Sequence, residues 1–390
     1  MTYEDNYTLP RELLERIAKE GFNIAPELLR QIMNLAMEIE RQKYIGAKPY
    51  ERTAERKDYA NGYKPKTVKT RVGKVTLDIP QVRSGKFYPG SLEKGIRSER
   101  ALKLTLAEMY VKGVSTRKVA AITEELCGTT ISSAEVSRAA AELDKTLKSW
   151  RERPLGEVPY LFLDARYEKV RIDGQVRDLA VLIGSGIDIQ GKRQILGVSV
   201  SLSEHEMHWR TFLKSLVARG LKGVQLIISD DHGGLRVARI AILGSIRWQR
   251  CQFHLQQNAM AYVHRKDMRK EVASDIRTIF NAPDRPTAEF YLKKYVEKYH
   301  KIASKLAEWM ENNIPEGFTV FDFPQDHRRR IRTSNYLERV NQEIKRRTRV
   351  VRIFSNEDSC LRLISAILME LDEYWKTGKI YLSMENNDMT

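Results

Sequence analysis

The sequence predicts a mixed α/β protein, in which a strand-and-helix core is interrupted by an all-α segment and preceded by a mostly helical region. Three observations lead there. Two short apolar runs, Pro159 to Leu163 and Val224 to Ile228, read as buried strands that deliver Asp164 and Asp230 at their ends. Around them strand and helix patterns alternate, whereas from Leu255 to about Asn313 the pattern is helical with no strand signal. Before Pro154 the chain shows helical stripes and one hairpin pattern. With 390 residues, 42% hydrophobic and 30% charged, the chain can bury a sizeable core, and its length suggests roughly two to four domains.

In chain order, Pro10 to Tyr44 reads as two helical pieces broken near Gly21 and Pro26. Leu28, Leu29, Ile32, Leu35, Ala36 and Ile39 form an apolar stripe on the second piece, suited either to packing within its own domain or to a dimer contact. A polar, basic arm follows from Ala47 to Lys66. Val68, Thr70 and Val72, then Val75, Leu77 and Ile79, alternate about a Gly73-Lys74 turn, which predicts a β-hairpin. From Ser98 the pattern is helical again. Gly113 to Leu147 holds two helices around Cys127-Gly128-Thr129-Thr130, the second opened by a Ser132/Glu135 capping box. That arrangement is how a helix-turn-helix sets a recognition helix in a DNA major groove. Ser133, Ser137 and Arg138 are the exposed candidates for reading bases there, with help from the basic arm as a DNA-tracking element.

Beyond Pro154 come strands at Tyr160 to Asp164, Leu179 to Gly184 and Ile195 to Val200, a helix from about Glu206 to Arg219, the strand Val224 to Ile228, a helix from Leu235, and a short strand near Trp248 to Phe253. This is the order of a ribonuclease-H-like fold, whose first and fourth strands lie side by side. The expected division is 1–60 (helical, dimerisation or DNA-tracking), 61–97 (hairpin and linker), 98–153 (helix-turn-helix), 154–254 (first part of the core), 255–320 (all-α insertion) and 321–390 (last part of the core with its final helices).

A third carboxylate, Glu338, lies in the helical segment TSNYLERVNQEIKRR. Two aspartates at neighbouring strand tips and a glutamate from a helix can converge as hard oxygen ligands for Mg²⁺ or Mn²⁺. Two such ions per site, about 3.5–4 Å apart, would stabilise the attacking and leaving oxygens of a phosphodiester displacement. The surroundings suit a polyanion: the chain carries 67 Lys and Arg against 51 Asp and Glu, a formal charge of +16. His327 to Arg352 alone holds ten Lys/Arg against two Glu, and Arg328, Arg329, Arg330, Arg332, Arg339, Lys345, Arg346, Arg347 and Arg349 are its candidate phosphate contacts. Cys251 and His254 form a C-x-x-H pair with too few ligands for a structural zinc. Cys251 reads as core, and His254 as a residue that orients a carboxylate or meets the scissile phosphate. His205, His208 and His232 read as solvated or hydrogen-bonding residues, and Trp209 and Trp248 as core or base-stacking residues.

Three scattered cysteines, Cys127, Cys251 and Cys360, fit a reduced compartment. MTYEDNYTLP has no apolar signal core and no run of eighteen apolar residues occurs, so a soluble, cytoplasmic protein without a membrane partner is expected, nucleoid-associated when bound to DNA.

Several pieces together resemble the Mutator-type bacterial insertion-sequence transposases over nearly the whole chain: NGYKPKTV, GVSTRKVA, LFLDARYEKV, ILGVSVSLSE, WRTFLKSLVARGL, LIISDDHGGL, WQRCQFH, IRTSNYLERVNQEIKRRTRV and the following Phe354. The resemblance implies a DDE recombinase that nicks transposon ends with water and joins the 3′-hydroxyl to a second phosphodiester, copying out through a circular intermediate. It implies Asp164, Asp230 and Glu338 as both catalytic residues and metal ligands, double-stranded DNA (terminal inverted repeats and target) as partner, and a homodimer. It also selects Glu338 over Glu343, although the helical period does not favour Glu338, and Asp230 over the adjoining Asp231. A ribonuclease-H-like nuclease that does not transpose would share the carboxylates, and a helix-turn-helix regulator would share the DNA-binding part. Only the former classes have use for like charges gathered in a core.

Overall fold

Residues 11–47, 51, 53–92 and 98–384 are described by a computed structural model; Pro10, parts of the basic arm and the end of the expected hairpin-and-linker segment lie outside them. The chain divides into two compact units, 1–142 and 143–390.

The first unit holds helices α1 (Arg11–Glu20) and α2 (Ala25–Ile45), strands β1 (Ala60–Thr70) and β2 (Gly73–Val82), and helices α3 (Arg100–Val111), α4 (Thr116–Cys127) and α5 (Ser133–Ala141). The hairpin forms, with Val68 opposite Val75, but Thr70 pairs with Gly73, so the two-residue turn is Arg71-Val72 rather than Gly73-Lys74. The Thr70 hydroxyl closes it by donating to the Gly73 carbonyl at 2.8 Å, and Gly73 takes a φ of 115° that a side chain would resist. Val68, Val75, Leu77 and Ile79 bury against Met37, Leu29 and Met33 of α2. The buried seam of α2 is therefore Leu29, Met33 and Met37, while Ile32, Leu35 and Ile39 of the expected stripe stay exposed. The basic arm in part becomes β1.

Helices α3, α4 and α5 close over Leu102, Leu106, Val119, Ile131, Val136 and Ala139. Gly128 ends α4 in the left-handed region at φ 58°, and Ser132 starts α5 with the expected capping box. The second helix is shorter than the sequence suggests: it stops at Ala141, and the next helix belongs to the other unit.

The second unit begins with α6 (Asp144–Glu152) and continues through β3 (Tyr160–Ile172), β4 (Gln175–Ile187), β5 (Arg193–Ser201), α7 (Glu206–Ala218), β6 (Leu226–Ser229), α8 (Gly233–Leu243) and β7 (Arg247–Arg250). The sheet order is β5-β4-β3-β6-β7, with β5, β4 and β3 antiparallel and β3, β6 and β7 parallel. β3 and β4 run well beyond their apolar runs, because Asp173-Gly174, both at positive φ, make a two-residue turn between Ile172 and Gln175. Asp164 thus sits within a strand rather than at its end. Trp209, Phe212, Leu213 and Leu216 of α7 pack on the sheet through Leu161, Leu163, Leu182 and Ile227.

After β7 the chain is helical: α9 (Gln252–Ala259), α10 (Arg269–Phe280), α11 (Arg285–His300), α12 (Ser304–Asn313), α13 (Gln325–Ile331), α14 (Asn335–Val351) and α15 (Glu357–Thr377). Buried Asp372 on α15 ties this end to the sheet, accepting from the Ile195 amide at 2.8 Å and from Arg153 at 2.9 Å. Among the described residues no helix is long and apolar enough to cross a membrane.

Candidate active site

Strand pairing brings the two aspartates level. The β3/β6 ladder ends at the Phe162–Ile228 pair, and Asp164, within β3, and Asp230, just past the end of β6, each follow two residues later. Helix α14 delivers the third carboxylate. Its Tyr336, Leu337, Val340 and Ile344 are buried, Tyr336 stands edge-on to Phe162 at 4.8 Å, and its hydroxyl meets Ser185 at 2.7 Å. Fixing that face turns Glu338 and Asn341, three residues apart, toward β3.

Asp164, Arg166, His254, Glu338, Asn341 and Lys345 line one open pocket of about 370 Å³. Asn341 donates to Asp164 Oδ2 at 2.7 Å, and the Ala165 amide donates to Oδ1 at 2.9 Å. Arg166 donates to the Asn341 carbonyl at 2.5 Å, pinning the helix to the strand. Asn341 escaped the sequence reading, although its spacing from Glu338 was the available signal.

The pocket holds its acids at a cost. Burial pushes the Asp164 carboxyl up to about 6, against the pull of His254 and the hydrogen bonds from Ala165 and Asn341, and the Asp230 charge adds to the rise. Burial likewise raises Glu338, and its Oε1 is buried without a hydrogen-bond partner. Glu343 differs altogether: Arg346 and Arg347 hold it at 2.7 and 2.8 Å and keep its carboxyl down at about 2. Asp231 is likewise engaged, with Arg236 at 2.8 Å. Asp230 is nearly half exposed, its Oδ1 accepting from the Asp231 amide at 2.8 Å and lying 3.8 Å from Arg250.

Cys251 is fully buried and accepts from the Ser334 amide and hydroxyl, both at 3.3 Å. Burial would lower the His254 ring, yet the Cys251 thiol and the charges of Asp230 and Asp164 raise it above the usual histidine range. The shift favours the protonated ring, and His254 lines the same pocket as Asp164 and Glu338. His208 hydrogen-bonds Ser199 and Ser203, His232 lies 3.3 Å from Glu204, and Trp209 is core. Trp248 packs beside that core and donates to Ser229 at 2.9 Å.

The donors suit a hard divalent cation in kind: carboxylate oxygens, one of them orphaned, with their charged forms disfavoured in its absence. Among the described residues no three His, Cys, Asp or Glu side chains already form a metal-holding group, so closure around a cation requires the carboxylates to draw together.

The basic candidates divide. Ser133, Ser137 and Arg138 are exposed on α5, as are Arg329, Arg330, Arg339, Lys345, Arg346 and Arg349 in the later window. Arg328 instead spends its guanidinium on the carbonyls of Phe323, Pro283 and Phe321, and Arg347 is buried between Glu343 and Glu370. Both serve the protein's own packing rather than an open phosphate surface. Arg332 is half-buried and donates to Asn281 at 2.7 Å.

A family model described as transposase, Mutator family, matches residues 7–378. The chain belongs to that family. Among its relatives, the transposase for insertion sequence element IS406 of Burkholderia multivorans is 60% identical over 369 residues, covering 94% of this chain and 95% of the relative. The transposase for insertion sequence element ISRM5 of Rhizobium meliloti is 44% identical, covering 92% and 90%. The transposase for insertion sequence element IS256 in transposon Tn4001 of Staphylococcus aureus is 36% identical, covering 95% and 96%. The match extends across both compact units of this Mutator-family transposase, so the acid pocket and the α3–α5 cluster belong to one family architecture.

Proposed function

We propose that this chain is the transposase of an insertion sequence, and that it cuts and joins DNA at Asp164, Asp230 and Glu338. The observation that carries the reading is the placement of Asp164 in β3 level with Asp230 just past the end of the adjacent β6, with Glu338, its Oε1 unpartnered, facing Asp164 from α14. The order β5-β4-β3-β6-β7 supports a ribonuclease-H-like core, and the helices between β7 and α14 support an all-α insertion in it. Helices α4 and α5, with the Ser132 cap and exposed Ser133, Ser137 and Arg138, support a helix-turn-helix that reads the terminal inverted repeats.

In the reaction, water attacks phosphorus in line, the P–O3′ bond breaks, and the freed 3′-hydroxyl attacks a second phosphodiester by the same displacement. Divalent ions held by the three carboxylates, two per site, would offset charge on the attacking and leaving oxygens. Asn341 keeps Asp164 oriented, and Lys345 and the raised His254 present positive charge to the phosphate. One acidic site serves both steps, which favours nicking one strand at one end and joining it beside the other end, copy-out and paste-in. Pairing two ends calls for a homodimer, and action on chromosomal DNA places the protein in the cytoplasm. The test is the purified chain with Mg²⁺ and a plasmid carrying both element ends. Single-strand-bridged products and, in cells, junctions of abutted ends are expected. Only linear element cut on both strands, with no junctions, would overturn the pathway.

A further inference from the structure

A second pocket, of about 230 Å³, opens at the start of α14 and shares no lining residue with the acid pocket. Its wall contains four arginines, Arg193, Arg329, Arg330 and Arg339, with Thr333, Asn335, Tyr336 and Tyr381, and no acidic residue. Among the described residues none of the four guanidiniums forms an ion pair or hydrogen bond. Arg193, the half-buried one of the four, thus differs from the likewise half-buried Arg153, which has Asp372, while Arg329, Arg330 and Arg339 are exposed.

The aromatic rings do not remove the need for an anion. Arg193 lies over Tyr381 at 4.4 Å and Trp375 at 4.6 Å, and Arg330 over Tyr381 at 4.7 Å. Such contacts occupy the faces of a guanidinium and hold it still, leaving its N–H edge to donate. Among the described residues Arg329 and Arg339 have no ring partner. Like charges gathered this way repel one another, and burial already pushes Arg193 below the usual arginine range.

The helix start makes the same demand. Ser334 occupies the cap position of the 17-residue α14 but makes no capping bond, because its hydroxyl is turned to Cys251. The Ser334 amide also donates to Cys251, but among the described residues the first-turn amides of Asn335 and Tyr336 have no side chain accepting from them, and a helix start in that state favours an anion.

We propose that this pocket binds a phosphate oxyanion, supplied in the working protein by the backbone of the DNA strand that the transposase holds. The assignment rests on the DNA-joining reading for the source of the phosphate, and on the pocket alone for its chemistry. Forked arginine donors recognise phosphate oxygens without reading sequence, so the pocket fixes the position of the strand and adds no base preference.

The test uses the full chain and a labelled duplex of random sequence, titrated across salt concentrations. Neutralising two cations that each meet a phosphate should flatten the slope of log affinity against log salt by about 2. R330Q/R339Q is expected to do so, and R329Q alone, which disturbs no ring contact, to lower it by about 1. R265Q/K301Q, removing two exposed charges elsewhere, should change it far less. Inorganic pyrophosphate provides the second arm and should raise the unfolding midpoint of the parent chain but not of R330Q/R339Q. Pyrophosphate stabilisation lost in the variant with an unchanged DNA slope would assign the pocket to a free phosphate ligand. An unchanged slope with no pyrophosphate effect, or an equal fall in R265Q/K301Q, would overturn the proposal. Failure of the parent chain to bind DNA at any salt would count against the transposase reading instead, and the pyrophosphate arm would still decide the pocket.

Discussion

At the pocket over β3, Asp164 and Glu338 are partly buried, with their carboxyls pushed toward the neutral form and one oxygen unpartnered. On α5, Ser133, Ser137 and Arg138 stand in solvent on a capped helix whose apolar side is fully used. The first arrangement costs free energy until something positive arrives, whereas the second costs nothing. Chemistry therefore leaves a mark on the isolated fold, and recognition leaves almost none. An acid that a fold keeps unpaired can be found from structure alone; a reading helix is found only through what it binds.

The largest effect expected from this contrast is on cleavage. Asp164→Asn, Asp230→Asn and Glu338→Gln should each reduce strand cleavage in Mg²⁺ by about 100-fold or more, the scale of losing one group that offsets charge at the reacting oxygens. Glu343→Gln and Asp231→Asn, whose carboxylates are already taken by arginines, should cleave within a fewfold of the parent. A cleavage-dead Glu343→Gln beside an active Glu338→Gln would reverse the assignment of the two faces of α14.

A smaller effect separates reading from chemistry. Ser133→Ala, Ser137→Ala and Arg138→Ala combined should lower the preference for terminal repeats over random duplex by about 10-fold or more, each lost base contact being worth about 1–3 kcal/mol. Strand transfer from a pre-nicked end at saturating DNA should persist. Footprints on the repeat that stay the same after this change would remove α5 from recognition.

How far the sequence anticipated these sites follows from which forces are local. Apolar runs located four of the five strands of the larger sheet, because burial on both faces writes itself into the residues, whereas β7 is short and polar. Their lengths were missed, since the polar outer half of the β3–β4 hairpin depends on the Asp173-Gly174 turn, a signal that was present and unread. The capping box at Ser132 was legible because it is built from residues three apart. The buried seam of α2 was not, because which side of a helix meets Val75 and Leu77 is decided by a strand some forty residues away. Periodicity could not separate Glu338 from Glu343. Two arginines one turn further along do so in the fold, by occupying Glu343 and leaving Glu338 to the pocket. Charge alone makes Arg328 and Arg347 candidate phosphate contacts, and only packing reveals that their donors are spent.

The smallest expected effect bears on the central claim that these acids are held at a cost which a divalent cation relieves. The Asp164 carboxyl is raised from 3.8 to about 6 in the folded chain, so its contribution to stability is full below pH 3.8 and is lost as pH rises through 6. Thermal unfolding of the metal-free protein and of Asp164→Asn from pH 4 to pH 8, each with and without Mn²⁺, measures this directly. Without metal, the variant should gain a few degrees over the parent as pH passes 6, each kcal/mol being worth about 2–4 °C in a unit of this size. Mn²⁺ at pH 8 should raise the parent and leave the variant nearly unmoved. Parallel pH profiles for the two proteins, or an equal Mn²⁺ shift in both, would contradict the account.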